Sequence, residues 1–74
     1  MKTFFTDKEV KAIRQTFLPG ATVEMVEHTD HFHPIPEGTR GTVCMVDDFG
    51  RVHVQWSDHS CSELIPMVDK VKFI

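Results

Sequence analysis

The spacing of hydrophobic positions changes once along the chain, close to residue 20. Before that point Val10, Ile13 and Phe17 recur at helical spacing and form one apolar stripe. Beyond it, apolar and polar residues alternate in short runs, which is typical of β-strands with one buried face. The pattern therefore predicts an N-terminal amphipathic helix followed by a series of short strands.

The predicted helix has a clear start and a clear end. Thr6-Asp7-Lys8-Glu9 has the sequence of a capping box, in which Thr6 and Glu9 satisfy each other's backbone amides. Phe5 precedes the cap and is placed to pack against Val10 as a hydrophobic staple. Leu18-Pro19-Gly20 ends the helix, because the residue before a proline disfavours helical geometry and glycine lets the chain turn.

Five strands are predicted after residue 20, separated by turn-forming residues. They cover 21–26, 39–46, 51–56, 61–65 and a terminal segment containing Val71 and Phe73. A long irregular loop, 27–38, separates the first two, and tight turns at 47–50 and 57–60 separate the next three. We expect Val43, Met45, Val52 and Val54 to face the core.

These elements predict a mainly β fold: a small SH3-like five-stranded barrel preceded by an N-terminal amphipathic α-helix. Closure of the sheet would remove the exposed edges of such short strands. With 74 residues we expect a single domain, 1–74, in which 1–18 form the helical segment and 19–74 the barrel. So small a core is also compatible with a homo-oligomer.

Composition excludes several broad classes. The apolar runs are too short for a membrane helix or a signal peptide, so we expect a cytoplasmic protein without membrane contact. The two cysteines do not make a disulfide framework. The net charge of −3 disfavours a dedicated nucleic-acid binder, since phosphate neutralisation supplies most of such affinity.

Several motifs, in order, resemble a family of small bacterial and phage-associated domains of unknown function with an SH3-like barrel. The matching pieces are Pro19-Gly20, Asp30, Pro34, Gly38-Thr39-Arg40-Gly41-Thr42-Val43, Val46-Asp47-Asp48, Gly50, His53-Val54, Trp56 and Leu64-Ile65-Pro66. The resemblance implies a fold and a mobile-element context, but no activity and no catalytic residues. This chain has His59 where members usually carry glycine, which leaves its turn type open, and Ser62 where they carry an apolar residue, which weakens strand packing.

Three histidines in the long loop suggest a metal site as one alternative. His28, His31 and His33 surround Asp30, and zinc requires three or four converging donors. In an extended segment His31 and His33 share a face while His28 points away, so a solvated polar loop is the favoured interpretation. We expect no cofactor.

A cysteine and a histidine are predicted to be neighbours across the second hairpin. If the 47–50 turn pairs Val46 with Arg51, then Cys44 lies opposite His53 on the outer face. Such a pair can lower a thiol pKa, but a nucleophilic enzyme also needs an orienting group and an oxyanion site. We therefore expect no enzymatic activity.

A second alternative is a nucleic-acid-binding accessory that uses a basic surface. The candidate residues are Lys8, Lys11 and Arg14 on the helix, with Arg40 and Arg51 on the barrel exterior.

The favoured hypothesis is a non-enzymatic protein-binding module in a bacterial or mobile-element context. Its candidate residues are Phe32, Ile35, Phe49 and Trp56, of which the alternation of the third strand also predicts Trp56 as core. Exposed Phe32, Ile35 and Phe49 would form the apolar patch that an unidentified protein partner covers.

Overall fold

The computed structural model describes residues 5–28, 35–66 and 68–74. Within them lie one helix and five strands: α1 Asp7–Thr16, β1 Thr22–Glu27, β2 Arg40–Val46, β3 Val52–Trp56, β4 Cys61–Leu64 and β5 Lys70–Phe73. The prediction of a mainly β fold with an N-terminal helix is confirmed. In these parts of the chain, no helix has the length and apolar character needed to cross a membrane.

The helix begins where the capping box predicts. The Glu9 amide donates to Thr6 Oγ1 at 3.2 Å, and the Thr6 amide donates to Glu9 Oε1 at 2.9 Å. Phe5 and Val10 are both buried, as a hydrophobic staple requires. The helix packs against β2 of its own sheet, where Arg14 Nε donates to the carbonyl oxygen of Val46 at 3.3 Å.

The strands form one antiparallel sheet in the order β4-β3-β2-β1-β5. An antiparallel ladder joins each pair of neighbouring strands, and among the described residues no ladder joins β4 to β5. The sheet is therefore not closed by hydrogen bonds as a barrel is, and two edge strands remain. Lys70 and Lys72 lie on the β5 edge, and charged edge residues discourage pairing with a second chain.

The core fills the inner face of the sheet beneath the helix. Its buried side chains are Val23, Met25, Val43, Val46, Val52, Val54, Trp56 and Leu64. Ile13 and Phe17 of α1 pack against this cluster, and the Phe17 ring lies 5.2 Å from that of Phe73. Gly41 is pressed against the cluster so closely that an added Cβ would lie 2.6 Å from Val54 Cγ1.

The prediction that Met45 faces the core is wrong, because β2 contains a bulge. Val43 pairs with Val54 and Met45 with His53, so Cys44 is an extra residue between them. Val43 and Val46 are both buried although they are three residues apart, which the additional residue makes possible. The side chains of Cys44 and Met45 consequently both project outwards.

Candidate functional site

The β2–β3 turn is organised around the carboxylate of Asp47. Its Oδ1 accepts hydrogen bonds from the backbone amides of Phe49 at 2.9 Å and Arg51 at 3.0 Å. Its Oδ2 accepts from Arg51 Nε at 2.7 Å and lies 3.0 Å from His53 Nε2. Both oxygens of one side chain therefore fix the turn backbone, Arg51 just before β3, and His53, the first outward-facing residue of β3.

These contacts govern the ionisation of Asp47. Partial burial favours the neutral carboxyl group, but the hydrogen bonds from His53 and Arg51 and from the Phe49 amide outweigh it. Together they hold the pKa of Asp47 well below its ordinary value. The carboxylate thus stays charged at neutral pH and serves as a fixed acceptor.

Arg51 extends this network to two neighbours. Its Nη1 forms an ion pair with Glu63 Oε2 of β4 at 3.1 Å, while its Nε donates to Asp47 Oδ2. Its guanidinium group lies over the Phe49 ring, 5.3 Å from the ring centroid. A cation over an aromatic face is an attractive arrangement, so Arg51 also restrains the position of Phe49.

These contacts define a continuous surface, which we call the hairpin face. It consists of Met45, Phe49, Arg51, His53 and Glu63. The Met45 side chain is 49% exposed and that of Phe49 is 37% exposed, so two large apolar groups border a polar network. The surface has a network of hydrogen bonds and ion pairs at its centre and apolar side chains at its margin.

A groove of about 340 Å³ adjoins the hairpin face on strands β2 to β4. Cys44, His53 and Cys61 all line it. The predicted register is wrong, since Met45 rather than Cys44 is paired with His53. The two residues still lie near each other, although not directly opposite, because Cys44 and His53 both line the same groove.

The two cysteines are free and exposed. They lie on strands that flank β3, about 9.6 Å apart at the usual strand spacing, which exceeds the Cα separation that a disulfide tolerates. Across the described parts of the chain, no group of three or more His, Cys, Asp and Glu side chains is arranged to hold a metal ion.

The residues predicted to bind a partner separate in the structure. Phe49 is exposed on the hairpin face, whereas Ile35 is half-buried and packs against the core. Trp56 is 2% exposed and is therefore part of the core, not of a surface. Phe32 lies outside the described residues.

The predicted basic surface is largely neutralised by acidic neighbours. Arg14 Nη2 lies 2.7 Å from Asp48 Oδ1, and Arg40 Nε lies 3.2 Å from Glu24 Oε1. Arg51 is held within the hairpin face. Lys8 and Lys11 remain exposed on the helix.

One of the three loop histidines has a visible role. Nδ1 of His28 accepts a hydrogen bond from the Ile35 amide at 2.9 Å, which ties together the two ends of the long loop. That nitrogen is occupied by a backbone donor. His31 and His33 lie outside the described residues, so the predicted metal site stays a prediction.

Sequence reasoning did not anticipate Met45, Asp47 or Glu63 as site residues. Asp47 had a local signal, because the side chain of an aspartate at the start of a turn often accepts a hydrogen bond from the backbone amide two residues further on. Met45 and Glu63 had none, because their positions depend on the bulge and on the β3–β4 register.

Comparison with known proteins places this architecture in a family. No curated protein and no solved structure matches the sequence. One family model matches residues 6–74, which include the helix and all five strands. The chain therefore belongs to the family described as Domain of unknown function (DUF4314).

Proposed function

We propose that this chain is a non-enzymatic protein-binding module whose contact surface is the hairpin face. The observation that supports this best is the pair of exposed apolar side chains, Met45 and Phe49, at the border of an ordered polar network. Methionine, aromatic residues and arginine are enriched at protein interfaces, and this surface combines all three.

The exposure of Met45 has an energetic consequence. Full burial of a methionine side chain stabilises a protein by about 1.5–3 kcal/mol. Met45 is 49% exposed because of the bulge at Cys44, so the free chain realises only part of this stabilisation, and a partner that covers Met45 supplies the rest. The same holds for the exposed part of the Phe49 ring.

The network beneath these side chains lowers the entropy lost on binding. Arg51 is already restrained by Asp47, Glu63 and the Phe49 ring. Preorganised side chains lose less conformational freedom when a complex forms, so more of the contact energy contributes to affinity. The hairpin face thus combines apolar anchors with a fixed polar centre.

The state of Asp47 supports a binding role over catalysis. Its two oxygens are engaged by four contacts, and its pKa lies below the ordinary range. A carboxylate held in this way is a weak base at neutral pH and is poorly suited to proton transfer. We assign it a structural function within the binding surface.

The cellular setting belongs to the same proposal. Two exposed free thiols fit a reducing compartment, which supports a cytoplasmic location. The motif resemblance supports a bacterial or mobile-element context.

Site-specific crosslinking tests the proposal. A photoreactive phenylalanine analogue replaces Phe49, and in a matched control replaces Lys11 on the exposed helix surface. After expression in the cells that naturally produce the protein, we expect a crosslinked protein partner from position 49 but not from position 11. The purified partner is then titrated calorimetrically with Met45→Gln, Phe49→Ser and Lys11→Gln.

We expect each hairpin variant to weaken binding at least about tenfold, equivalent to about 1.4 kcal/mol, while Lys11→Gln binds as the parent does. The melting temperatures of the hairpin variants should fall only moderately, since Met45 and Phe49 are partly exposed and lie outside the buried core cluster. A partner whose affinity depends on Lys8 and Lys11 but not on Met45 or Phe49 would refute the assignment of the hairpin face.

A further inference from the structure

A second groove lies on the outer face of the sheet, at the end opposite the β2–β3 turn. It has a volume of about 290 Å³. Its polar side chains come from β1, β2, β3 and the β3–β4 turn: Thr22, Arg40, Thr42, Gln55, Ser57 and His59. We call it the His59 groove. Each of these side chains can donate a hydrogen bond, and none is acidic.

Arg40 has guanidinium hydrogen-bond donors in this groove that no described residue accepts. Its Nε is directed to Glu24 Oε1, and Glu24 is also bound by Lys72, whose Nζ lies 3.0 Å from Oε2. The guanidinium group of Arg40 is thereby held at one nitrogen, and the described residues leave its two terminal amino groups unpaired. Those two groups form the planar fork that matches a carboxylate.

His59 occupies an unusual backbone position. Its φ is +70°, in the left-handed region, and elsewhere in the described chain positive φ angles fall on glycines. A non-glycine residue there costs conformational energy that glycine would not. Despite this cost, the position is occupied by histidine, whose imidazole lies at the wall of the groove.

Two carboxylates close to the groove in the described part of the chain, Glu24 and Asp58, do not fill it. Glu24 is engaged by Arg40 and Lys72, and the pKa of Glu24 is lowered by those bonds. Asp58 accepts hydrogen bonds from the amide and the hydroxyl of Ser60. Neither contributes a side chain to the lining, so no described carboxylate competes for the donors in the groove.

We propose that the His59 groove binds a carboxylate group of a ligand. Arg40 supplies the charged fork, His59 a second nitrogen donor, and the hydroxyl groups of Thr22 and Thr42 complete the shell. Since Arg40 shares its charge with Glu24, the groove suits a single negative charge better than the double charge of a phosphate. This site uses different residues from the hairpin face, so a negative result for one site does not bear on the other.

Amide NMR of the complete chain tests the proposal at constant ionic strength. Sodium acetate is the first probe, sodium chloride is the blank, and inorganic phosphate is the competing anion. We expect acetate to produce saturable shifts at Thr42, Gln55 and His59 that chloride does not produce. Equal shifts from chloride and acetate, or tighter binding of phosphate than of acetate, would overturn the assignment.

Two variants and a control separate binding from folding. His59→Gly removes the imidazole but relieves the backbone, so we expect at least a threefold loss of acetate affinity in a protein that is no less stable. Arg40→Gln should abolish the saturable shifts, and Lys8→Gln, remote on the helix, should leave them unchanged. Undiminished acetate affinity in the well-folded His59→Gly variant contradicts the proposal.

A blocked glutamate, N-acetylglutamate amide, identifies the source of the carboxylate. Binding at least as tight as that of acetate indicates an acidic side chain of a protein. Saturable binding of acetate without binding of the blocked residue indicates a small free acid. Both results support the groove as a carboxylate site. If neither acetate nor the blocked glutamate binds saturably, the proposal is refuted.

Discussion

The indole N–H of Trp56 donates a hydrogen bond of 2.6 Å to the hydroxyl oxygen of Ser62. Trp56 is almost completely buried, and Ser62 lies on β4 opposite Val54. By the motif resemblance, which implies an apolar residue at this position, a serine predicts weaker packing of the fourth strand. The structure gives it a specific role, because the buried indole would otherwise lack an acceptor among the described residues.

Ser62→Ala should therefore lower the free energy of unfolding by about 1–2 kcal/mol, the usual result of leaving a buried donor without its partner. Urea denaturation measures the change. Ser62→Thr retains a hydroxyl and should recover most of the stability, whereas Ser57→Ala, at an exposed turn position, should have little effect. Equal stability of Ser62→Ala and the parent would show that the hydrogen bond contributes nothing.

The local parts of the fold could be predicted from sequence because their signals are local. Thr6 and Glu9 form the predicted capping box within four residues, and the alternation ending at Trp56 correctly places that ring in the core. The position of Met45 could not be predicted in this way. The bulge at Cys44 depends on which residues of β3 oppose it, and that information is not contained in the period of β2.

In the candidate site, too, individual residues could be predicted from sequence, but their assembly into one surface could not. Phe49 and Arg51 were singled out from sequence, but for different functions, and their contact over 5.3 Å became visible only in the structure. Glu63 joins them through the β3–β4 pairing. Assembly of a surface from three strands depends on register, which single-strand periodicity does not determine.

Gly50 and Gly20 allow a steric effect to be separated from a backbone effect. Both have positive φ, at +84° and +90°, but a Cβ on Gly50 would lie 2.5 Å from Cδ2 of Phe5, while one on Gly20 would meet nothing. Gly20→Ala should cost about 1 kcal/mol from its backbone alone. Gly50→Ala should cost about 2–4 kcal/mol, because the Phe5 staple must also move.

Thermal or urea unfolding of the two alanine variants measures this difference. A third variant, Phe5→Leu combined with Gly50→Ala, relieves the collision and should narrow the gap between the two glycine sites. Equal losses at Gly20 and Gly50 would mean that the contact with Phe5 places no constraint on the β2–β3 turn.

Asp47 makes stability depend on pH on the acid side. Its pKa in the folded protein is lower than the ordinary aspartate value near 3.8, so the folded state binds fewer protons than the unfolded state. The resulting stabilisation is complete above the unfolded pKa, decreases as pH falls below about 4, and is fully lost only when pH has passed below the lowered pKa of the folded state. Asp47→Asn should reduce stability by about 2 kcal/mol at pH 7 and by less at pH 2.

Denaturant titrations of the parent and Asp47→Asn between pH 2 and pH 7 measure this convergence. Asp48→Asn is the matched control, because Asp48 is the adjacent carboxylate but is 93% exposed and pairs only at the surface with Arg14. Its acid-side slope should parallel that of the parent. A constant difference between Asp47→Asn and the parent over this pH range would contradict the role assigned to the Asp47 carboxylate.

His59 offers a stabilising substitution at the β3–β4 turn. The turn closes normally, with the Trp56 amide donating to the Ser60 carbonyl oxygen at 2.7 Å and the His59 amide to the Trp56 carbonyl oxygen at 2.9 Å. Histidine therefore retains the turn at the expense of a left-handed backbone angle. His59→Gly should raise the free energy of unfolding by about 0.5–1 kcal/mol, since glycine adopts this angle freely.

His59→Ala distinguishes the backbone from the side chain, because it removes the same imidazole but keeps a Cβ in the left-handed region. We expect His59→Ala to be no more stable than the parent and His59→Gly to exceed both in urea denaturation. If the alanine and glycine variants gained equally, the imidazole itself would be the destabilising group and the backbone angle would carry no cost. The expected order of the three proteins would instead show that the chain retains histidine here against its own folding stability.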